Sequence, residues 1–444
     1  MVKRASKQSG GGGPSRPHLG IVRTVLFILL LAVAGIAQES PQPESSDTTW
    51  AALHTHGYAS FKNGRYADAL ADFNTSLPLA ASLKQRAMTL SDIGYTLTEL
   101  GRTADALTQL EQARALWMSI DAAGHRALQV TITIGLLHRI LGHFRESEQI
   151  LRSAVGSARD SSEHSAALVA LGEVLNEQAR FIESRPMFEE ALRLSPGRDR
   201  TRASALIGLG DAESNSGQIQ PGISHLRDGL AISREIKVPE LEALALRDLG
   251  NTYVQAGDLS SAQAMLRRAL PILETAPAMR IQYAGTLVSL GVVYGAENKL
   301  GLAEDAFTQA LEVYGNAGTN PRSAVAFEYL AIVRAQQKRF AEAEDLANRA
   351  HSALKSAFGE TSAPAADSLG TLALVEEKAG NLEQSEHDYS RALAILRDNG
   401  ALESTSAANL SSGYASVLRK LHRRREAKAV EHEAKSTHLS ARQQ

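Results

Sequence analysis

The chain has 444 residues, a formal net charge of −2 and no cysteine. The near-neutral balance gives no bulk attraction to nucleic acid, and the missing thiols exclude disulfides, thiolate metal sites, a cysteine nucleophile and a lipid-anchor cysteine. Apolar residues make up 43% but aromatics only 5%, so the core is aliphatic and rich in alanine.

The chain opens on Lys3, Arg4, Lys7, Arg16 and Arg23, with glycines 10–13 among them, and then an apolar run from Val25 to Ala37. A basic lead, a short apolar run and small residues before Gln38 predict a secretory signal over residues 1–37, cleaved after Ala37. About thirteen helical residues rise roughly 20 Å, short of the ~30 Å hydrocarbon core. Two alternatives stay open: an uncleaved membrane anchor counted from Leu19, and a cytosolic chain with a buried apolar stretch. The signal places the mature protein in the periplasm or outside the cell. Residues 38–49 are polar and rich in Pro and Ser, a linker. Asp47 or Thr48 is placed to cap a helix that begins near Trp50.

From residue 50 to 435 the chain repeats. Small residues recur at Gly57, Gly94, Gly135, Gly172, Gly210, Gly250, Gly291, Ala331, Ala373 and Ala415, in steps of 37 to 42 residues. Glycine inside a helix costs about 1 kcal/mol relative to Ala, so seven copies in one register need close helix approach to offset them. Twelve and nineteen residues on from each stands another small residue, as at Ala262 and Ala269. A larger residue lies between them, as at Leu266. Only Ala347 and Glu431 break that pattern. Turns such as Gly217-Gln218-Ile219 and Gly257-Asp258-Leu259 separate the two helices of each copy. Pro196, Pro239, Pro277, Pro321 and Pro364 fall between copies. Pro271, late in a second helix, predicts a shortened or kinked helix.

Leu249, Gly250, Tyr253, Gly257, Leu259, Ala262, Leu266 and Ala269 together resemble the tetratricopeptide repeat family. The copy at Leu290, Gly291, Tyr294, Leu300, Ala303, Phe307 and Ala310 carries nearly the same marks. The long step resembles the variety found in kinesin light chains and bacterial signalling scaffolds. The resemblance implies an all-α fold, a right-handed superhelical solenoid of about ten helix-turn-helix repeats over residues 50–435, with a polar tail at 436–444. It also implies a concave face lined by first helices. There the family's contact positions fall on Tyr58, Phe61 and Lys62, on Tyr95, Thr98 and Glu99, and then on Glu173, Asn176, Glu177, Asp211, Ser214, Asn215, Asn251, Val254 and Gln255. The amides offer donor and acceptor to an extended backbone. Glu173, Glu177 and Asp211 would favour a basic segment.

No catalytic motif appears. Gly208-Leu209-Gly210 begins like a dinucleotide-binding fingerprint but lies inside a repeat helix and ends in Glu213. His54 and His56, and His138 and His143, are spaced badly for one ligand face. The last copy is charged, with Arg424 and Glu431 at positions that are apolar elsewhere. Its basic run (Arg419, Lys420, Arg423, Arg424, Arg425, Lys428) reads first as a solvated cap, with an acidic partner or lipid headgroup as the functional alternative. The reading is a non-catalytic scaffold for a protein or peptide partner, with no cofactor, metal, nucleic acid or small-molecule substrate. A regulatory, sensor or secretion-assembly subunit is its alternative.

Overall fold

The computed structural model describes residues 48–122, 124–315, 321–399, 401–402 and 405–441. The expected signal, the linker up to residue 47 and the Asp47 cap lie outside them. Among the described residues there are twenty α-helices and no strand. The first repeats pair α1 (Thr48–Lys62) with α2 (Tyr66–Ser76), α3 (Leu83–Glu99) with α4 (Thr103–Asp121), and α5 (His125–Leu141) with α6 (Phe144–Ser157). Next come α7 (Ser161–Glu177) with α8 (Phe181–Leu194), α9 (Arg200–Asn215) with α10 (Ile219–Glu235), and α11 (Pro239–Gln255) with α12 (Leu259–Glu274). The array continues with α13 (Arg280–Ala296) and α14 (Leu300–Tyr314), then α15 (Pro321–Gln336) and α16 (Phe340–Phe358). It ends with α17 (Ala363–Ala379) and α18 (Leu382–Asp398), then α19 (Thr405–Lys420) and α20 (Arg424–Ala441). Each helix packs on the next, and most first helices also touch the first helix of the following repeat. This is the expected solenoid.

Its ends differ slightly from expectation. The array begins at Thr48, inside α1 rather than before it, and α20 runs past 435 to Ala441. Pro271 does not truncate α12, which continues to Glu274. Pro239, Pro321 and Pro364 lie within the first turns of first helices rather than in the connections. A proline there forfeits an N–H that has no helical partner in any case.

The seam between paired helices follows the small-residue pattern. A Cβ on Gly94, Gly135 or Gly250 would sit within 2.6 Å of the Leu110, Leu151 or Leu266 side chain of the paired helix. Gly172 and Gly291 meet Phe188 and Phe307 in the same way. In the first seven repeats the large residue of the second helix thus seats on the glycine of its own first helix. Among the second-helix pairs, every Ala and Ser from Ala69 to Ala427 is at most 1% exposed, so helix backbones meet there without intervening side chains. Two of the serines at these positions also bond to a carbonyl across the seam: Ser147 and Ser385 donate to the carbonyls of Gly135 and Ala373 at 2.6 and 2.7 Å. Gly208 has the same packing role. A Cβ there would lie 2.4 Å from Phe188 of the preceding repeat.

All ten repeats turn through a left-handed residue seven positions after the small one. Six use glycine, with φ between 70° and 93°. The other four place Ala179, Asn298, Lys338 and His422 there, at φ 57° to 64°, at a steric cost.

Candidate functional site

First helices line the inside of the coil, and their side chains meet there. Arg139 on α5 pairs with Glu177 on α7 and lies 3.2 Å from Glu173. Arg247 on α11 holds Asp248 at 2.7 Å. Arg322 on α15 pairs with Glu177 and donates to the carbonyls of Arg139 and Ile140, each at 2.6 Å. Those carbonyls belong to the last turn of α5, where that of Arg139 also accepts from the Gly142 N–H at 3.0 Å. Arg322 also lies over the Phe144 ring at 5.3 Å, and Phe144 stacks on Phe358 at 5.2 Å. Arg145 donates to the Phe358 carbonyl at 3.1 Å. Repeat 3 thus touches repeat 8, so the coil meets itself after one turn. A cavity of about 240 Å³ lies within this ring of charges, walled by residues such as Asp211, Leu244 and Tyr314.

The sequence matches several repeat models. Residues 174–369 match the MalT-like TPR region, residues 48–119 and 85–160 match one tetratricopeptide repeat model, and residues 132–199 match another. Together they run from 48 to 369. The chain belongs to the tetratricopeptide repeat family. This tetratricopeptide repeat protein is 25% identical over 262 residues to Protein KINESIN LIGHT CHAIN-RELATED 2 of Arabidopsis thaliana, covering 56% of the chain and 39% of that relative. The chain therefore spans less than half of that relative's length. Its fold is similar to that of a Rap protein crystallised with Competence and Sporulation Factor, at TM-score 0.61 and 12% identity over 81% of this chain and 99% of that one. A tetratricopeptide repeat protein from Parabacteroides merdae ATCC 43184 gives TM-score 0.45 at 15% identity, over 64% and 99% of the two chains. Repeat arrays of this family mediate protein–protein interaction and are typically non-catalytic.

In this repeat array Glu173, Glu177 and Asp211 do reach the inner face, but none is a bare negative charge. Burial pushes the Glu177 carboxyl up, and the Arg322 and Arg139 guanidinium groups outweigh it, leaving it below the usual range. Burial raises Glu173, with Arg139 opposing. Burial and then the Asp248 charge raise Asp211, with Arg247 opposing. Glu173 and Glu177 thus face Arg139, while Asp211 lies in the field of Arg247, which Asp248 holds.

The amides divide as well. Asn176 is a staple between repeats, donating to the Gly208 carbonyl at 2.9 Å and to Asp211 at 3.1 Å, and accepting from Ser184. Asn215 donates to the Asp211 carbonyl at 2.9 Å and accepts from Gln255 at 3.0 Å; both side chains are exposed. Asn251 is partly exposed and its side chain makes no hydrogen bond to the described residues. The earlier candidates differ too: Phe61 and Glu99 are buried at 4% exposure.

Arg139, Arg247 and Arg322 were not among the sequence candidates. Arg139 stands at the contact register of repeat 3, four residues after Gly135, and applying the repeat rule to that copy finds it. Arg322 has no such signal, because its partners lie in another turn of the coil.

At the C-terminal end the basic run is largely consumed internally. Arg423 reaches Glu386 and Glu426, each at 2.6 Å, Lys420 lies 3.1 Å from Glu377, and Arg419 pairs with Glu431. Arg424, Arg425 and Lys428 remain exposed. Of the histidine pairs only the first separates: His54 meets Asp92 at 2.8 Å and His56 meets Asp72 at 2.7 Å. His138 and His143 face one another at 3.4 Å.

Proposed function

We propose that the protein is a non-catalytic scaffold whose inner face holds an extended peptide segment of a partner protein. Asn251 carries this reading. It stands on the inner register, partly exposed, with a side-chain amide that bonds to none of the described residues. Asn215 and Gln255 stand beside it as a linked, exposed pair. Together they offer donors and acceptors to a passing backbone. The side chains offered are uncharged amides, so the favoured segment is polar.

We infer work at the cell envelope from the leader that the sequence of residues 1–37 leads us to expect. A pull-down from envelope extract recovers a partner, and Asn251→Ala with Asn215→Ala loses it; undiminished recovery overturns the inner-face reading. N-terminal sequencing of the mature protein returns Gln38 if the leader is cleaved, and an intact leader returns the anchor alternative. The tie between repeats 3 and 8 favours a regulatory second reading, in which partner binding opens or tightens the coil. Distance measurements between labels on those repeats test it, and a spacing unchanged by partner removes it.

A further inference from the structure

The turn of repeat 3 departs from the other nine in its side chains. α5 ends at Gly142, whose φ of 82° swings the chain back on itself. The Gly142 N–H bonds to the Arg139 carbonyl at 3.0 Å, and the His143 N–H to the His138 carbonyl at 2.9 Å. The second of these bonds recurs in all ten repeats, at 2.8 to 2.9 Å. It joins the residue three positions after the small one to the residue eight positions after it, and a turn of this kind commonly brings the two side chains together. In five repeats the later residue is arginine and in one it is lysine. Arg102, Arg180 and Arg339 each reach the acid three residues on, at 2.6 to 2.7 Å. Repeat 3 alone carries histidine at both positions.

Five residues apart on one helix, two rings point to different sides. Here the chain leaves the helix between them, and the rings converge. Their Nδ1 atoms lie 3.4 Å apart, with ring centroids at 5.6 Å. That separation is long for a hydrogen bond, which runs to about 3.2 Å. It matches two nitrogens held about 2.0–2.1 Å from one tetrahedral zinc ion, which stand roughly 3.3–3.4 Å apart. His143 is exposed and His138 partly so, so an ion in solvent can reach the pair. A hollow of about 330 Å³ lies beside His138, walled in part by Glu146 and Arg114. The charges of Glu111 and Glu146 act on the His138 ring through space, with Arg114 opposing. Among the described residues no third histidine or carboxylate completes a metal-holding cluster.

We propose that His138 and His143 bind a divalent transition-metal ion of the zinc class through their Nδ1 atoms, with water completing its shell. Imidazole suits such ions, whereas magnesium takes oxygen ligands. The ion clips the end of α5 to the start of α6. Next to its two ligands stand the groups that tie repeat 3 to repeat 8: the Arg139 carbonyl that takes Arg322, and Phe144 and Arg145 against Phe358. The site uses none of the Asn251 surface, so each reading can fail without the other.

Calorimetric titration of the whole protein with zinc(II) tests this. The tightest class of site takes one ion per chain. His143→Arg installs the residue that Arg102 and Arg180 hold at the same turn, with Glu146 three residues on to pair with it. This variant keeps the fold and loses the site. His138→Gln lowers zinc affinity at least about tenfold, since even an outer partner of a metal ligand is worth that much. His56→Gln leaves the affinity unchanged. Zinc raises the thermal midpoint of the native chain and not that of His143→Arg, and magnesium raises neither. No zinc binding, binding that survives either His143→Arg or His138→Gln, or equal binding of magnesium overturns the proposal. A loss of the same size in His56→Gln overturns it as well, since it shows zinc to be spread over surface histidines.

Discussion

The first helices have two working sides that obey different rules. On the side turned toward the second helix, contacts join residues of one repeat: Gly250 with Leu266, Gly172 with Phe188. On the inner side, contacts join distant repeats, as when Arg322 reaches Arg139 across 183 residues. The seam uses residue size and the groove uses charge and hydrogen bonding. The difference shows that regular backbone packing can be copied tenfold while the surface it presents is individual at each copy.

The largest expected effect lies in the groove. Arg322→Ala removes one of the two guanidinium partners of Glu177 together with the bonds to the Arg139 and Ile140 carbonyls, and costs about 2–3 kcal/mol, hydrogen bonds to charged groups contributing about 1.5–3. Chemical denaturation measures it. A loss under 0.5 kcal/mol would show that the inner contacts are incidental and that the seam alone holds the array.

The seam comes next. Gly250→Leu overpacks the hairpin against Leu266 and costs about 1–3 kcal/mol. An unchanged thermal midpoint would break the packing side of the comparison.

Proton linkage sharpens the inner side. Burial, then the Glu240 charge, pushes Glu99 from its usual 4.5 up to about 8, with Arg200 opposing. Between those values the folded chain keeps a proton that the unfolded chain releases, so stability falls as pH rises across the window. Glu99→Gln flattens that fall in denaturation curves taken from pH 5 to pH 8. Glu177 works in the other direction. Its depressed carboxyl contributes stability above about pH 4.5 and loses it as pH falls through the folded value.

The smallest effect belongs to the turns. Ala179→Gly relieves a left-handed alanine at φ 57°. It stabilises by under about 1 kcal/mol, the steric gain being reduced by the greater freedom of glycine when unfolded. A thermal melt of this variant beside Gly257→Ala, expected to shift the opposite way, checks the sign.

What could be read from the sequence divides along the same line. The seam was legible because its partners recur at a fixed spacing, sixteen residues from Gly94 to Leu110 or from Gly291 to Phe307. The turn was legible where glycine marks it, but Lys338 and His422 adopt the same conformation without that mark. On the inner face the register points to Glu173, Asn176, Glu177 and Asp211, which line one cavity in the structure. Their ion pairs were not legible. Which residues meet across a turn depends on the pitch of the coil, and pitch accumulates from small rotations that no single repeat encodes.

The Arg322 contact also sets an order of events. A stack of hairpins held only by its neighbours can take shape from its first repeat onward as the chain is made. This brace cannot close until repeat 8 exists, because the carbonyls of Arg139 and Ile140 wait for a side chain 183 and 182 residues downstream. Until then repeats 3 and 4 form a spring with a free end, and Glu177 has only one of its two arginines. Afterwards they belong to a hoop. The width of the inner channel is thus fixed late, by a residue far from the channel's first wall.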